Sequence, residues 1–480
     1  MWTQMSLAID KGTYVTSIRS RPGNKQRAYA AGHEQTVHTF QGDLRLKLRA
    51  IPRYVLLLLS YSCLAVSVVA TLIYLFQNST TIGWLVTMLY PETAPFLSVA
   101  VFASSVIIVR FSFMKNRRGV LVVSIVCAFI VMGTFAPYAG IPSETASADE
   151  QMLERYGSAF TSLDTSSMRT MPYSAFDSLY GVPIEQSTFD TEKDILYLDN
   201  GVDKFYFDWY RPVGEGPFPV IIAIHGGAWV IGNKGRGNVI PFNEYFASHG
   251  YAVFDIQYGL FDVTTLPEQQ AAVFRTFAAI GSGFSPNYNG SYTIQQQIEN
   301  VGYFTKMLEL NSSAYAADMD NVFVVGRSAG GHLASLVTLG YRNPLYAGNF
   351  SAGMTVRGGI WFYPVTDLTS TGTGNLGTML GGTLSPEEES KKLSASFLIG
   401  NSTVTPPIML LHGNKDGLAD YSRQGLAFFE RAKSLGKACL LVTIPWAGHA
   451  FDLIFQSYGG QMSTYYIERF MALELAGEGA

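Results

Sequence analysis

The stretch "FVVGRSAGGHLASL", residues 323–336, decides the fold, because it sets a serine between glycines directly after an apolar run. The run that ends at Val325 is typical of a buried strand, and the following apolar spacing is typical of a helix. Residues 326–330 match the G-x-S-x-G pattern of a nucleophile elbow, in which a strained strand-to-helix turn exposes a serine hydroxyl. The pattern therefore predicts that Ser328 is a nucleophile. The alternative is an ordinary glycine-rich connection, so the hypothesis needs partner residues elsewhere.

Short apolar runs recur through the second half of the chain. They lie at 195–200, 204–212, 218–227, 251–259, 321–328, 358–365, 407–414 and 438–446. The later runs are continuously apolar, as expected for strands that are covered on both faces. Helical patterns lie between several of them, for example at 293–311 and 422–436. Strands that alternate with helices predict an α/β domain with a mainly parallel sheet at residues 191–480.

A serine nucleophile needs a base, usually histidine, which a carboxylate orients. In α/β sheets these groups lie on loops at the carboxyl ends of the strands. Among the seven histidines, only His449 in "IPWAGHAFD" follows the last predicted strand without a simpler role. Asp416 in "LLHGNKDGLAD" is the preferred carboxylate, while its competitor Asp420 is predicted to cap the next helix. The order Ser328, Asp416, His449 is that of an α/β-hydrolase triad.

Ester cleavage also requires donors that stabilise negative charge on the carbonyl oxygen, and backbone amides provide them without reorganisation. The glycine-rich turn in "IIAIHGGAWVIGNK", residues 221–234, follows the first core strand and is expected to supply one donor. Ala329 follows the serine and is expected to supply another. A simple tight turn is the alternative for the glycine-rich stretch. The sequence has no phosphate-binding loop and no metal-ligand cluster, so we predict neither a metal nor a cofactor.

The motifs "HGGAW", "GRSAGGH", "FYPVTDL", "LLHGNKDGL" and "GHAFD" together resemble esterases of the α/β-hydrolase superfamily. The resemblance covers roughly residues 195–475 and extends to the hormone-sensitive-lipase-like, kynurenine-formamidase-like and feruloyl-esterase-like branches, and to isoprenylcysteine methylesterases. It implies an α/β-hydrolase fold and a carboxylic ester hydrolase with a serine triad. It also implies that the oxyanion donors are Gly227 and Ala228 together with Ala329.

The chain departs from the hormone-sensitive-lipase-like pattern at two positions. Arg327 stands before the serine, where that branch usually has aspartate, and Ala228 stands where it has a third glycine. Both departures favour the formamidase-like or methylesterase-like branches.

Three apolar stretches precede this domain, at 53–77, 94–113 and 119–140. About 20 apolar residues cross the hydrocarbon core as a helix, so we predict three transmembrane helices in a membrane domain at 53–140. A buried helical hairpin of a soluble domain is the alternative. A cleaved signal peptide fits poorly, because the first apolar run begins some fifty residues into the chain. Residues 141–190, rich in Ser, Thr and acidic residues, are interpreted as a stalk with some helix.

Positive charge predicts the orientation in the membrane. Lysine and arginine cluster at 45–53 and 115–118, whereas the loop at 78–92 has none. By the positive-inside bias, residues 1–52 form a cytoplasmic tail and the catalytic domain is extracytoplasmic, in a lumen or outside the cell. The Asn-x-Ser/Thr sequons fall on that side and predict a glycoprotein; they are at Asn78, Asn289, Asn311, Asn349 and Asn401.

The net charge of −4 and the absence of nucleic-acid-binding motifs argue against nucleic acid as a partner. The predicted partners are a small-molecule or lipid ester and the bilayer, with the oligomeric state left open. A prolyl-oligopeptidase-like peptidase is an alternative, disfavoured because no propeller-like repeat precedes the domain. A non-catalytic hydrolase-fold binding module is another. The insertion at 261–292 is either a lid or binding loop or a helix that packs on the domain.

Overall fold

The structure, a computed structural model, describes residues 53–76, 81–235, 237, 239–265, 268, 288–370, 377–402 and 404–477. The predicted tail 1–52 lies outside the described residues, as do positions 266–267 and 269–287 of the insertion.

The described N-terminal part of the chain is helical, three consecutive strands follow it, and strands and helices alternate from the third strand onward. The helices are α1 Arg53–Phe76, α2 Thr81–Ile108, α3 Arg117–Tyr156, α4 Ser158–Thr161, α5 Ala175–Tyr180, α6 Val239–Ser248, α7 Ile294–Leu310, α8 Ala329–Gly340, α9 Gly377–Leu380, α10 Pro386–Lys392, α11 Ala395–Leu398, α12 Ala427–Ser434 and α13 Tyr458–Leu475. The strands are β1 Phe189–Asp199, β2 Lys204–Pro212, β3 Phe218–Ile224, β4 Ala252–Ile256, β5 Ala317–Arg327, β6 Val356–Phe362, β7 Ile408–Gly413 and β8 Cys439–Ile444. Each strand overlaps one of the apolar runs identified in the sequence, although β1 begins at Phe189, six residues before the run at 195–200, and β5 begins at Ala317, four residues before the run at 321–328.

The strands form one 8-stranded sheet in the order β1-β2-β4-β3-β5-β6-β7-β8. β2 pairs antiparallel with β1 and with β4, and every pairing from β4 through β8 is parallel. This mainly parallel sheet, with a serine turn after the central strand β5, confirms the predicted α/β-hydrolase fold. The carboxyl ends of β3 and β5 to β8 lie along one edge, which is where the site is built.

The sheet is covered on both faces, which accounts for its continuously apolar strands. In β3, Ile222 packs in a core with helices α7 and α8, while its neighbours Ile221 and Ala223 pack on the other face with α6 and α13. These side chains are at most 1% exposed. The two cores fix which loops emerge together at the edge of the sheet.

Three segments are long and apolar enough to cross a membrane, judged by length and composition: Tyr54–Phe76, Leu85–Phe113 and Arg117–Tyr156. The second helix differs from the prediction, because α2 begins at Thr81 rather than near 94. Its first turns bury Thr87 and Glu92. The backbone of Thr87 lies against the hydrolase loop at Gly448. Polar residues in that part of the helix are therefore covered by protein rather than by lipid.

The segment expected to form a stalk, 141–190, is instead packed on the hydrolase domain. Helix α3 continues without a break past 140 to Tyr156, so the predicted boundary of the membrane domain falls inside a helix. Ala148, Met152 and Tyr156 are buried in the same core as α6 and α13. Their spacing of four residues puts them on one helical face, and burial of that face holds the segment against the sheet.

Candidate active site

The serine turn has the geometry of a nucleophile elbow. Ser328 joins β5 to α8 with φ 55° and ψ −120°, a positive φ that residues with a side chain rarely adopt. Two glycines make room for the turn. A Cβ atom at Gly326 would collide with the carbonyl oxygen of Gly330, and one at Gly330 would collide with the carbonyl oxygens that end β3. Ser328 is left half-buried at the edge of the sheet.

A continuous chain of hydrogen bonds joins the three residues that the sequence singled out. The Nε2 atom of His449 is 2.8 Å from Oγ of Ser328, and its Nδ1 atom is 2.7 Å from Oδ2 of Asp416. An ionised carboxylate only accepts hydrogen bonds, so Nδ1 of the imidazole carries the proton and donates it towards Asp416. In the neutral ring, Nε2 is then free to accept the proton of the serine hydroxyl. The structure brings together Ser328, Asp416 and His449 from the ends of β5, β7 and β8.

Asp416 is held by more than its contact with His449. Its other oxygen, Oδ1, accepts hydrogen bonds from the amides of Leu418 and Ala419, at 2.8 and 3.0 Å. The Nε2 atom of His412 lies 3.2 Å from Oδ2. Burial by itself raises the pKa of Asp416, but the two neighbouring histidines more than offset it and lower the pKa well below its usual range. The carboxylate therefore stays ionised at neutral pH.

The competitor Asp420 occupies a different position. Its Oδ1 accepts the amide of Arg423 at 3.0 Å and the hydroxyl of Ser422 at 2.6 Å, which is the local bonding expected of a residue at the start of a helical segment. Asp420 therefore bonds to the residues that directly follow it, and Asp416 is the aspartate that contacts the imidazole.

The glycine-rich turn after β3 lies directly against the elbow. A Cβ atom placed on Gly226 would be 3.2 Å from Cβ of Ser328 and 2.8 Å from the carbonyl oxygen of Arg327. The next two residues, Gly227 and Ala228, have φ values of 133° and 51°. On the other side of the serine, Ala329 is the first residue of α8. Its amide is one of the N–H groups that have no acceptor within the helix.

Two other histidines near the elbow have structural roles. The rings of His225 and Tyr258 stack with centroids 4.3 Å apart. His332 lies between Trp229, which donates to Nδ1, and the carbonyl oxygen of Leu393, 2.7 Å from Nε2. Burial lowers the pKa of both histidines to about 4, so both are neutral at physiological pH. Neither contacts Ser328 through a hydrogen bond that the structure describes.

The unusual Arg327 pairs with an aspartate from the histidine loop. Its Nε donates to Oδ2 of Asp452 at 2.6 Å, and both side chains are buried. The hydroxyl of Tyr363 donates to the other oxygen of Asp452, at 2.6 Å. The ring of Tyr363 lies 4.6 Å from the ring of His449. Arg327 therefore ties the strand that carries the nucleophile to the loop that carries the base.

Sequence reasoning missed three residues that support the triad: His412, Tyr363 and Asp452. His412 lies at the end of an apolar run and so has a structural role by its position, although an acid that orients a histidine is itself usually hydrogen-bonded. Asp452 lies within the quoted motif "GHAFD". An arginine at the end of a buried strand signals the need for a buried acid nearby, but it does not identify which acid.

Within the described part of the chain, no group of three His, Cys, Asp or Glu side chains is arranged to hold a metal ion.

The chain is similar to known proteins over part of its length. The family model BD-FAE matches residues 207–280 and 282–430. The probable carboxylic ester hydrolase LipM of Mycobacterium tuberculosis is 27% identical over 290 residues, which are 58% of this chain and 60% of that protein. The isoprenylcysteine alpha-carbonyl methylesterase ICME of Arabidopsis thaliana is 24% identical over 239 residues, 47% of this chain and 48% of that protein.

The match therefore spans only about half to three fifths of the length of these relatives. Among solved structures, the phosphonate-inhibited esterase B from Lactobacillus rhamnosis aligns with a TM-score of 0.47 and 19% identity, covering 71% of this chain and 97% of that one.

Proposed function

We propose that the domain at residues 189–475 is a member of the α/β-hydrolase superfamily and that the protein is a membrane-anchored serine hydrolase of carboxylic esters. The observation that carries the proposal is the hydrogen-bond chain from Ser328 through His449 to Asp416, at 2.8 and 2.7 Å. Nucleophile, base and orienting acid are already within the distances that proton transfer needs.

The proposed reaction proceeds through an acyl-enzyme. Nε2 of His449 takes the proton of Ser328 as Oγ attacks the ester carbonyl carbon, and the carbonyl oxygen becomes an oxyanion. Collapse of this intermediate breaks the bond to the alcohol, which leaves with the proton from Nε2. Water then attacks the acyl-enzyme and gives a proton to the imidazole. The carboxylic acid departs, and the proton returns to Ser328.

Asp416 acts on the imidazole rather than on the substrate. Its pKa lies well below the usual range, so the carboxylate is ionised while His449 carries the transferred proton. An anion 2.7 Å from Nδ1 stabilises the imidazolium and holds the ring in the tautomer that leaves Nε2 free.

The proposed oxyanion donors are the amides of Ala329 and of the turn at Gly227 and Ala228. Support comes from the position of Ala329 at the start of α8 and from the contact of the neighbouring Gly226 with the elbow. Each such donor is worth on the order of 3 kcal/mol of barrier, because it is preorganised for the charge that develops.

Carboxylic esters are the proposed substrate class because the names of the relatives all refer to the cleavage of an ester bond. LipM is named a carboxylic ester hydrolase and ICME a methylesterase. The anchor is the set of helices α1 to α3. By the positive-inside bias, the hydrolase domain is extracytoplasmic.

Activity-based labelling tests the nucleophile. A fluorophosphonate probe should label the full-length protein, and Ser328→Ala should abolish both the label and ester hydrolysis. Ser335→Ala is the matched control, because this serine lies on the same helix but is buried and donates to the carbonyl oxygen of His332. It should keep the label. Labelling that persists in Ser328→Ala would rule out the proposed nucleophile.

Protease accessibility tests the orientation. In sealed vesicles whose outer face is extracytoplasmic, added protease should digest the hydrolase domain and leave an epitope tag on residue 1 protected. Digestion of the tag with protection of the hydrolase domain would reverse the orientation.

A further inference from the structure

Helix α3 shows which edge of the sheet lies towards the membrane helices. Near its C-terminal end, Glu154 pairs with Lys433, which precedes β8. One turn earlier, the side chain of Gln151 bonds to both the amide and the carbonyl oxygen of Leu441 within β8. At Gly140, a Cβ atom would lie 2.7 Å from Pro445, the first residue after the strand. The apolar half of α3, which precedes Gly140, therefore extends beyond the carboxyl end of β8.

The carboxyl ends of the strands are also the catalytic edge. Ser328 follows β5, Asp416 follows β7 and His449 follows β8, and all these strands are parallel. The membrane helices and the triad consequently lie at the same edge of the sheet rather than at opposite edges.

Contacts with the histidine loop come from the other two membrane helices as well. In the last turns of α1, the hydroxyl of Tyr74 donates to the carbonyl oxygen of Trp446 at 2.7 Å. In α2, the carbonyl oxygen of Thr87 would lie 2.9 Å from a Cβ atom on Gly448. Both contacts are within three residues of His449. The base of the triad therefore lies next to the ends of the membrane helices.

Apolar surface is exposed at this same level. Helix α5 is held next to α3 by the rings of Tyr173 and Tyr138, whose centroids are 5.0 Å apart. It exposes 67% of Phe176 and 74% of Tyr180. Aromatic residues beside an apolar helix are typical of the interface between lipid and water.

We propose that the catalytic edge faces the bilayer and that the substrate is an ester lipid whose acyl chains remain in the membrane. This proposal rests on the proposed ester hydrolase function and names its substrate class. Each CH2 group favours the membrane over water by about fourfold, so a chain of a dozen is held by a factor on the order of 10⁷. A site that opens to the bilayer reaches such an ester without extracting it into water. The ester group, near the headgroups, comes to Ser328 by lateral diffusion.

Reconstitution of the full-length protein tests this route. The protein is placed in vesicles of dialkyl-ether phosphatidylcholine, which contains no ester bond. Diacylglycerol is added either to these vesicles or to separate vesicles, and p-nitrophenyl acetate serves as the water-soluble ester. Diacylglycerol in the same vesicles should be cleaved at least tenfold faster than in separate vesicles, while acetate cleavage should be the same in both. Equal rates on diacylglycerol, or cleavage of acetate alone, would overturn the bilayer route.

A paired variant tests the surface. Phe176→Ser with Tyr180→Ser should lower the rate on diacylglycerol relative to that on acetate by on the order of fivefold, because the interfacial contact is lost. Leu310→Ser is the matched control, since Leu310 is 85% exposed and precedes β5 at the opposite edge of the sheet. It should leave the ratio unchanged. A ratio that falls equally in both variants would also overturn the proposal. If the unsubstituted protein cleaves neither diacylglycerol nor acetate and its Ser328 takes no label, the hydrolase function itself is refuted.

Discussion

Replacement of Asp452 by asparagine removes one buried negative charge and keeps nearly the same side-chain shape. The carboxylate accepts from Arg327 and from Tyr363, each at 2.6 Å. The Arg327 and Asp452 side chains are only 6% and 4% exposed. Arg327 also lies between the rings of Phe242 and Phe362, 4.5 Å from each, and so has little water to compensate for a lost counterion.

The expected loss in the free energy of unfolding comes from leaving the Arg327 guanidinium without its counterion. Breaking a buried ion pair from one side costs about 3–5 kcal/mol, and an amide that keeps one hydrogen bond puts Asp452→Asn near the lower end, about 3 kcal/mol. Arg327→Met with Asp452→Asn removes the unpaired charge, so the double variant should be more stable than the sum of the two single changes implies, by about 2–3 kcal/mol.

Chemical denaturation of the full-length protein in detergent, followed by tryptophan fluorescence, measures these free energies. Glu154→Gln is the matched control, because its pair with Lys433 joins side chains that are 66% and 62% exposed. It should cost less than about 1 kcal/mol. Activity provides a second measurement: loss of the tie should displace His449 from Ser328, and a shift of about 1 Å lowers kcat on the order of 100-fold. Single and double variants with additive free energies would refute the reasoning.

Other changes test the site and its surroundings. Asp416→Asn should lower kcat on p-nitrophenyl acetate by roughly 10⁴-fold, because the amide no longer fixes the imidazole tautomer, while circular dichroism stays native. Gly226→Ala should lower kcat, since its Cβ would lie 2.8 Å from the carbonyl oxygen of Arg327 and 3.2 Å from Cβ of Ser328 and would displace the elbow; Gly348→Ala, with open space around it, should be neutral. Burial raises the pKa of Asp255 to about 7 from 3.8, so the folded state holds a proton that the unfolded chain releases. Stability should therefore fall as pH rises from about 4 to 7, and Asp255→Asn should flatten that slope in denaturation at pH 5 and pH 8; an unchanged slope would contradict it.

The elbow could be predicted from sequence because its causes are local. Gly326 and Gly330 are required by atoms within a few residues of Ser328 and by the neighbouring strand. The partners of the serine are distant in sequence, but a parallel sheet gathers the ends of its strands at one edge. That rule identifies the loops on which the partners of the serine lie, but not which residue of each loop contacts it. It indicated Asp416 and His449, and capping chemistry separated Asp416 from Asp420.

The tie between Arg327 and Asp452 could not be read in the same way. This buried ion pair depends on the packing of the end of β5 against a loop 125 residues later, and no period or turn signal encodes it. Arg327 appeared only as a departure from a family pattern. The role of Arg327 depends on its partner Asp452, which the folded structure brings to it beside the rings of Phe242 and Phe362.

The sequence predicted a stalk because residues 141–190 are mostly polar, and the weak helical spacing of apolar residues within them was given less weight than this composition. Residues 141–156 are mostly polar, and only one face of the helix, at Ala148, Met152 and Tyr156, is apolar enough to be buried. A polar segment with a narrow apolar face resembles a solvated linker unless the surface that covers it is known. That surface is formed by α13 and β8, which come some 300 residues later.

A packed helix constrains function in a way that a stalk does not. Helix α3 has 40 residues, or about 60 Å at 1.5 Å per residue. About half of that length is needed to cross the hydrocarbon core, and the remainder is fixed to β8 by Gln151 and to α13 by Arg155. A flexible stalk would let the hydrolase domain turn in any direction. If α1 to α3 cross a bilayer as proposed, a continuous helix fixed at several points along the domain would hold the catalytic edge at a constant angle to that bilayer, and the anchor itself would set the access to Ser328.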